Sequence, residues 1–284
     1  MVNNAADNPL FKHFRQPAVY LKLPSEGHFY PEGTLDLPPA GTIPIYPMTV
    51  KDELTLKTPD ALLNGQGMVE VIHSCCPNIK DAWSMPAVDV DAIFIAIRLA
   101  SYGSDMDITT ACTHCAETNE HSISLNHLLD SFKIADYEKL SFVDQLKFKF
   151  KPQSYKHIND LSIITYEEQR LVDSVIRNEA LSDEEKAVRF GNSFAKLKQM
   201  NVDAIAVCVE SITPEGAEPV TDRKFITEYL ENCSRESYQA VKDKIDAIIK
   251  SNKLESLKLT CSECQKEYES SLEFNQSNFF GNGF

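Results

Sequence analysis

Nowhere does this sequence hold an apolar run near the ~20 residues that cross a bilayer as a helix, so no membrane-spanning segment is expected. The opening stretch, Met1 to Asn8, is polar and lacks the basic region and apolar run of a secretory leader. A reducing cytoplasm is the expected setting, where disulfides are scarce. Cations are also short: 28 Lys and Arg stand against 42 Asp and Glu, a formal net charge of −14. A general affinity for DNA, RNA or anionic lipid needs basic surface, so nucleic acid is not an expected partner, although local basic patches stay open. Missing too are a phosphate-binding Gly-rich loop, a metalloprotease His-Glu-x-x-His and a nucleophile elbow. Neither an enzyme nor a small-molecule substrate is implied. What is present, 43% hydrophobic residues over 284 positions, suffices for a real core in one or two domains.

Along the chain, residues 1–10 read as disordered. Residues 11–47, rich in Pro and Gly, read as short strands such as Val19-Tyr20-Leu21 and as turns, with Ser25-Glu26-Gly27-His28 the tightest. Helices follow. Thr49 with Asp52 forms a capping box, Thr58-Pro59-Asp60 opens a helix that Asn64-Gly65 ends, and Met68 to Cys75 is a third. From Asp89 to Tyr102, Val90, Ile93, Phe94 and Ile97 recur at helical spacing before Gly103 stops the run. Strand-like alternation flanks Cys112 and Cys115, and Lys147 to Lys151 is another strand. Long helices are expected at Tyr155–Asn178, Asp183–Ile212, Asp222–Asn232 and Arg235–Ser251. Ser182 with Glu185 caps the second, and Ser234 caps the last. Thr213-Pro214-Glu215-Gly216 is a loop. Leu257 to Leu259, and then Tyr268, Leu272 and Phe274, return to strand text.

The expected fold class is α+β. Its parts are a disordered start (1–10), a mixed region of short strands and helices (11–130), an inserted and mainly helical domain (131–252), a second knuckle (253–275) and an aromatic tail (276–284). The tail, Phe279-Phe280-Gly281-Asn282-Gly283-Phe284, reads as disordered or as a docking peptide.

Two segments share the form strand, Cys-x-x-Cys, strand: Cys112-Thr113-His114-Cys115 and Cys261-Ser262-Glu263-Cys264. A two-residue spacing lets a tight turn offer two thiolates to one ion, and zinc takes four such ligands in a tetrahedron. Cys112, Cys115, Cys261 and Cys264 are therefore the candidate ligands of one structural zinc. They make a discontinuous zinc ribbon whose halves are parted by residues 116–260, provided that the ends of the insertion lie close together. Other readings stand beside it. They are two separate knuckles without zinc, disulfides between the thiols, and His114 in place of one ligand. A redox Cys-x-x-Cys usually opens a helix, and the text after both motifs is strand-like instead. Zinc ribbons often bind nucleic acid, but Lys258 and Lys266 here stand beside Glu263, Glu267 and Glu117.

Three further groups have plainer explanations. Cys75-Cys76 beside His73 has the parts of a thiol nucleophile and base, yet cysteines on a short helix are usually core. Asp89 and Asp91 fall at a helix start, where the dipole favours negative charge. Glu26 and His28 belong to a Pro-Gly turn.

A textual likeness goes further. Leu23-Pro24-Ser25-Glu26-Gly27-His28-Phe29-Tyr30-Pro31 resembles a loop of the baseplate hub proteins of T-even-like contractile-tailed phages. Ile45-Tyr46-Pro47-Met48-Thr49-Val50-Lys51-Asp52-Glu53 and Thr58-Pro59-Asp60-Ala61-Leu62-Leu63-Asn64-Gly65 resemble that family's middle motif. Asp89-Val90-Asp91-Ala92-Ile93, Ala100-Ser101-Tyr102-Gly103 and Cys112-x-x-Cys115 continue it in order. The resemblance covers residues 18–130 and says less about 152–250. It implies a non-enzymatic structural or assembly subunit of the tail baseplate hub, made in the bacterial host's cytoplasm, with other phage tail and hub proteins as partners. If the subunit stays in the finished particle, its place is the virion tail baseplate.

Overall fold

The computed structural model describes residues 9–10, 13–58, 65–178, 181–252, 254 and 256–270. The expectations for the first eight residues, for the helix over 59–64 and for Leu272, Phe274 and the aromatic tail lie outside them.

The first core forms around one helix. Strands β1 (Val19–Leu21) and β2 (Ile43–Ile45) pair antiparallel. Helices α1 (Val50–Leu56), α2 (Gln66–Cys75) and α3 (Ala87–Tyr102) follow. Ile93, Ile95, Ala96 and Ile97 of α3 are all fully buried. A helix apolar on more than one face belongs in the middle of a core. Gly103, at φ 96°, ends it as expected, with its N–H on Leu99 O. The Thr49–Asp52 capping box on α1 also forms as read.

The family-like motifs meet inside this core. Asp89 in the first turn of α3 accepts hydrogen bonds from Ser25 N (2.7 Å), Ser25 Oγ (2.6 Å) and Tyr30 OH (3.0 Å). It is fully buried. The dipole reading of Asp89 was therefore too slight, because this carboxylate pins the 23–31 loop to α3. Burial pushes its pKa up to about 6 against the downward pull of the Ser25 and Tyr30 hydrogen bonds. Asp52 plays a similar part nearby: beside its capping bonds, its Oδ2 accepts from Ser74 Oγ at 3.0 Å.

After α3 the chain makes the hairpin β3 (Asp105–Ala111) and β4 (Thr118–Ser124), then the short helix α4 (Leu125–Asp130). A second core begins with β5 (Ser141–Val143) and β6 (Leu146–Phe150). Helices α5 (Tyr155–Arg177) and α6 (Asp183–Cys208) form a long hairpin, and the Ser182–Glu185 capping box of α6 forms as read. The expected helix over Asp183–Ile212 needs correction. It stops at Cys208, and Val209–Thr213 is a strand, β7, that pairs with β6. The run Val207-Cys208-Val209 is apolar enough for either state, so pairing with the buried Phe148 and Phe150 decides it. β6 is thus the middle strand of an antiparallel sheet ordered β5-β6-β7. α7 (Arg223–Asn232) and α8 (Arg235–Ser251) cover it with Ile226, Leu230, Val241 and Ile245.

Asn252, just past α8, ties the ends of this region. Its Oδ1 accepts from Ala135 N (2.7 Å), and its Nδ2 donates to Tyr137 OH (2.6 Å). The chain then forms the last hairpin, β8 (Leu257–Thr260) and β9 (Glu267–Ser270).

Candidate metal centre

Each Cys-x-x-Cys occupies the tip of an antiparallel hairpin, and the two tips have one geometry. In the first, Cys112 N donates to Glu117 O (2.8 Å) and Ala116 N to Cys112 O (2.9 Å). In the second, Cys261 N donates to Lys266 O (3.0 Å) and Gln265 N to Cys261 O (3.1 Å). The residue after each pair takes a left-handed backbone, Ala116 at φ 61° and Gln265 at φ 56°. Side chains tolerate that region at some cost, so its recurrence at matching positions marks a turn held for a purpose.

The tips face each other. The four Sγ atoms of Cys112, Cys115, Cys261 and Cys264 all lie within 4.8 Å of one another. Across the hairpins, Cys112 Sγ lies 3.7 Å from Cys264 Sγ and Cys115 Sγ lies 3.6 Å from Cys261 Sγ. A disulfide needs about 2.0 Å. A tetrahedral shell with metal–sulfur bonds of about 2.3 Å has edges of about 3.8 Å, close to what is seen. The four residues are thus an arrangement able to hold a metal ion, and a soft donor set of four sulfurs suits zinc.

The competing readings lose support on geometry. Neither pair opens a helix, so no helix dipole is available to activate a redox thiol. His114 is exposed and its ring lies outside the four-sulfur cluster, with Nε2 3.1 Å from Glu267 O on the other hairpin, while its backbone N–H donates to Cys112 Sγ at 3.4 Å. Cys261 is fully buried. The N–H of Cys264, opposed by burial and aided by the N–H of Glu263 and the Asn119 amide, draws its thiol below the ordinary value, while the Cys115 thiol beside it is pushed up. Donors aimed at sulfur favour the thiolate that binds a cation.

Asn119 is the residue that sequence reasoning missed. It is buried on β4, and its Nδ2 donates to Glu117 O (2.9 Å) and approaches Cys261 Sγ (3.6 Å). Its Oδ1 accepts from Ser262 N (2.7 Å) and Ser262 Oγ (2.9 Å). One amide thus joins the backbone of the first knuckle to the second. The available signal was register: Asn119, His121 and Ile123 share one face of β4. A second strap lies beside it. Tyr268 OH bonds Thr110 Oγ1 (2.6 Å) and His121 Nε2 (2.9 Å) across the hairpins. Asn119→Ala is expected to weaken metal binding by roughly 10- to 100-fold, as loss of groups that orient ligands commonly does. His114→Ala should leave it within about twofold of the parent, because a group outside the ligand set contributes little to affinity. Competition against a chromogenic chelator checks both.

The other cysteine candidates stay with their plain readings. Cys75 and Cys76 are fully buried, and burial pushes the Cys75 thiol up to about 12. His73 Nε2 accepts from Ala82 N at 3.1 Å, so it is engaged away from the thiols. Glu26 belongs to its turn at φ 53° and pairs with Lys22 at 2.6 Å.

No helix among the described residues is long and apolar enough to cross a membrane. Comparison with curated proteins and with solved structures returns no significant match. A protein-family model described as T4 bacteriophage base plate protein matches residues 20–281, a span that takes in both thiol knuckles and everything between them. With nearly its whole length matched, the chain belongs to the T4 bacteriophage base plate protein family and is a T4-like phage baseplate protein.

Proposed function

We propose that this chain is a non-enzymatic structural or assembly subunit of the central hub of a contractile-tail baseplate, held together by one structural zinc. Cys112, Cys115, Cys261 and Cys264 are the ligands. The single observation that carries the metal reading is the convergence of four sulfurs from two distant hairpins within 4.8 Å. An ion with four thiolate ligands has no open position for water or substrate, so its work is to hold the hairpins. The two knuckles then form a zinc ribbon from separated halves, and residues 131–252 form an insertion that leaves and re-enters beside it. The closed site and the baseplate family together support a role without catalysis. Other tail and hub proteins are the partners. Synthesis in the host cytoplasm keeps the thiols reduced until metal binds.

A nucleic-acid-binding ribbon fits less well. The exposed residues of the knuckles include Glu117, Glu263 and Glu267 beside Lys258 and Lys266, which gives no basic stripe. The test is placement. A tagged chain supplied to an infection lacking the native one should co-purify with tail proteins and carry its label to the axis of the baseplate. A label at the baseplate rim, or a tagged chain that leaves with DNA in a salt-dependent way, contradicts the hub reading.

A further inference from the structure

Helix α6 carries an apolar face that the described residues leave bare. Val188 and Phe194 are 64% and 68% exposed, and Ala187, Gly191 and Ala195 are exposed beside them. Positions 184, 187, 188, 191, 194, 195 and 198 are spaced three and four apart, which sets them along one side of the helix. The opposite side is engaged. Ser193 Oγ donates to Glu168 of α5 at 2.6 Å, and Lys196 pairs with the same carboxylate at 2.6 Å.

Gly191 is the anomaly on this face. A glycine inside a helix weakens it relative to alanine. A Cβ built at Gly191 meets nothing within 4 Å, so packing among the described residues gives no reason for it. A second helix crossing there does, since a bare Cα lets two helix axes approach closely.

The face is also its own complement. Take a two-fold axis through Gly191 and two antiparallel copies of α6. Glu184 of one then meets Lys198 of the other near the midline, and because the axis keeps each residue on its own flank, Val188 packs on Ala195 and Ala187 on Phe194, with each pair repeated on the far side of the axis. Opposite charges close both ends, and contacts of a large side chain on a small one flank the glycine. A partner with an unrelated sequence has no reason to match this palindrome. We infer that the exposed face of α6 docks a second copy of this chain, antiparallel and centred on Gly191. The interface is isologous, as a two-fold dimer requires. It runs about 21 Å from Glu184 to Lys198 at the helical rise. This pairing uses neither the thiol centre nor the hub assignment, so its test stands apart from theirs.

The test is sedimentation equilibrium of the purified full-length chain. A seam this short places the expected midpoint of dimerisation at roughly 10 μM. Glu184→Lys puts like charges together at both ends and is expected to weaken pairing about tenfold. Adding Lys198→Glu restores opposite charges and should recover it. Gly191→Cys gives an independent reading, because two thiols on the axis should link the chains under mild oxidation beyond any link in the parent. A chain that stays single through the range overturns the inference. So does a charge swap that leaves association where Glu184→Lys put it, or a Gly191→Cys chain that links no more than the parent.

Discussion

Cys112→Ser and Cys261→Ser are expected to destabilise the protein equally, by about 4–5 kcal/mol each, and the double variant should be hardly worse than either. The two residues lie on hairpins far apart in sequence, yet their sulfurs belong to one cluster. If one ion holds all four, removing any thiolate releases the same ion and loses the same free energy. Two independent sites would add instead. The second core should survive the loss, because Asn252 ties its ends to Ala135 and Tyr137 without help from the metal. Denaturant melts of the two singles and the double, with hydrogen exchange to locate the loosened region, check the pattern. One harmless single variant would sink the shared site.

The second large effect belongs to Asp89 and is a pH effect. Its carboxyl has a folded pKa of about 6 against an ordinary value of 3.8, with burial the main cause. A folded value above the unfolded one means that the native state holds the proton more tightly. The associated stability is fully present below about pH 4 and is lost as pH rises through about 6, amounting to about 3 kcal/mol. Asp89→Asn removes this titration. The stability of the parent minus that of Asp89→Asn should therefore fall between about pH 4 and 6 and then level off, since metal loss in acid affects both proteins alike. A flat difference would contradict the assignment. Asp89→Ala should be worse than Asp89→Asn at neutral pH, since it leaves Ser25 N, Ser25 Oγ and Tyr30 OH without their acceptor.

What could be read from the sequence was what is decided locally or by spacing. The Thr49–Asp52 and Ser182–Glu185 boxes and the Ser234 cap depend on residues within one helical turn, and all three form as read. The four cysteines could be singled out because paired thiols with two residues between them have few uses in a reducing compartment. What escaped depends on partners far along the chain. β7 is a strand because β6 offers an edge about sixty residues earlier, and nothing between Cys208 and Thr213 announces that. Asp89 looked like a residue favoured by a helix dipole because Ser25, 64 positions away, is invisible to a local reading. Asn119 reads as one polar residue among several until the second knuckle, 143 positions on, supplies Ser262. The palindrome on α6 was also present in the text, but it means something only once one side of the helix is seen to be occupied and the other bare.

Four sulfurs from two hairpins are expected to grip one divalent ion. X-ray absorption at the zinc edge, on purified full-length chain of known metal content, tests it most directly. The expected result is one zinc per chain surrounded by four sulfur neighbours at about 2.3 Å. A folded chain without zinc, or a zinc shell with nitrogen or oxygen in place of any of the four sulfurs, would contradict it.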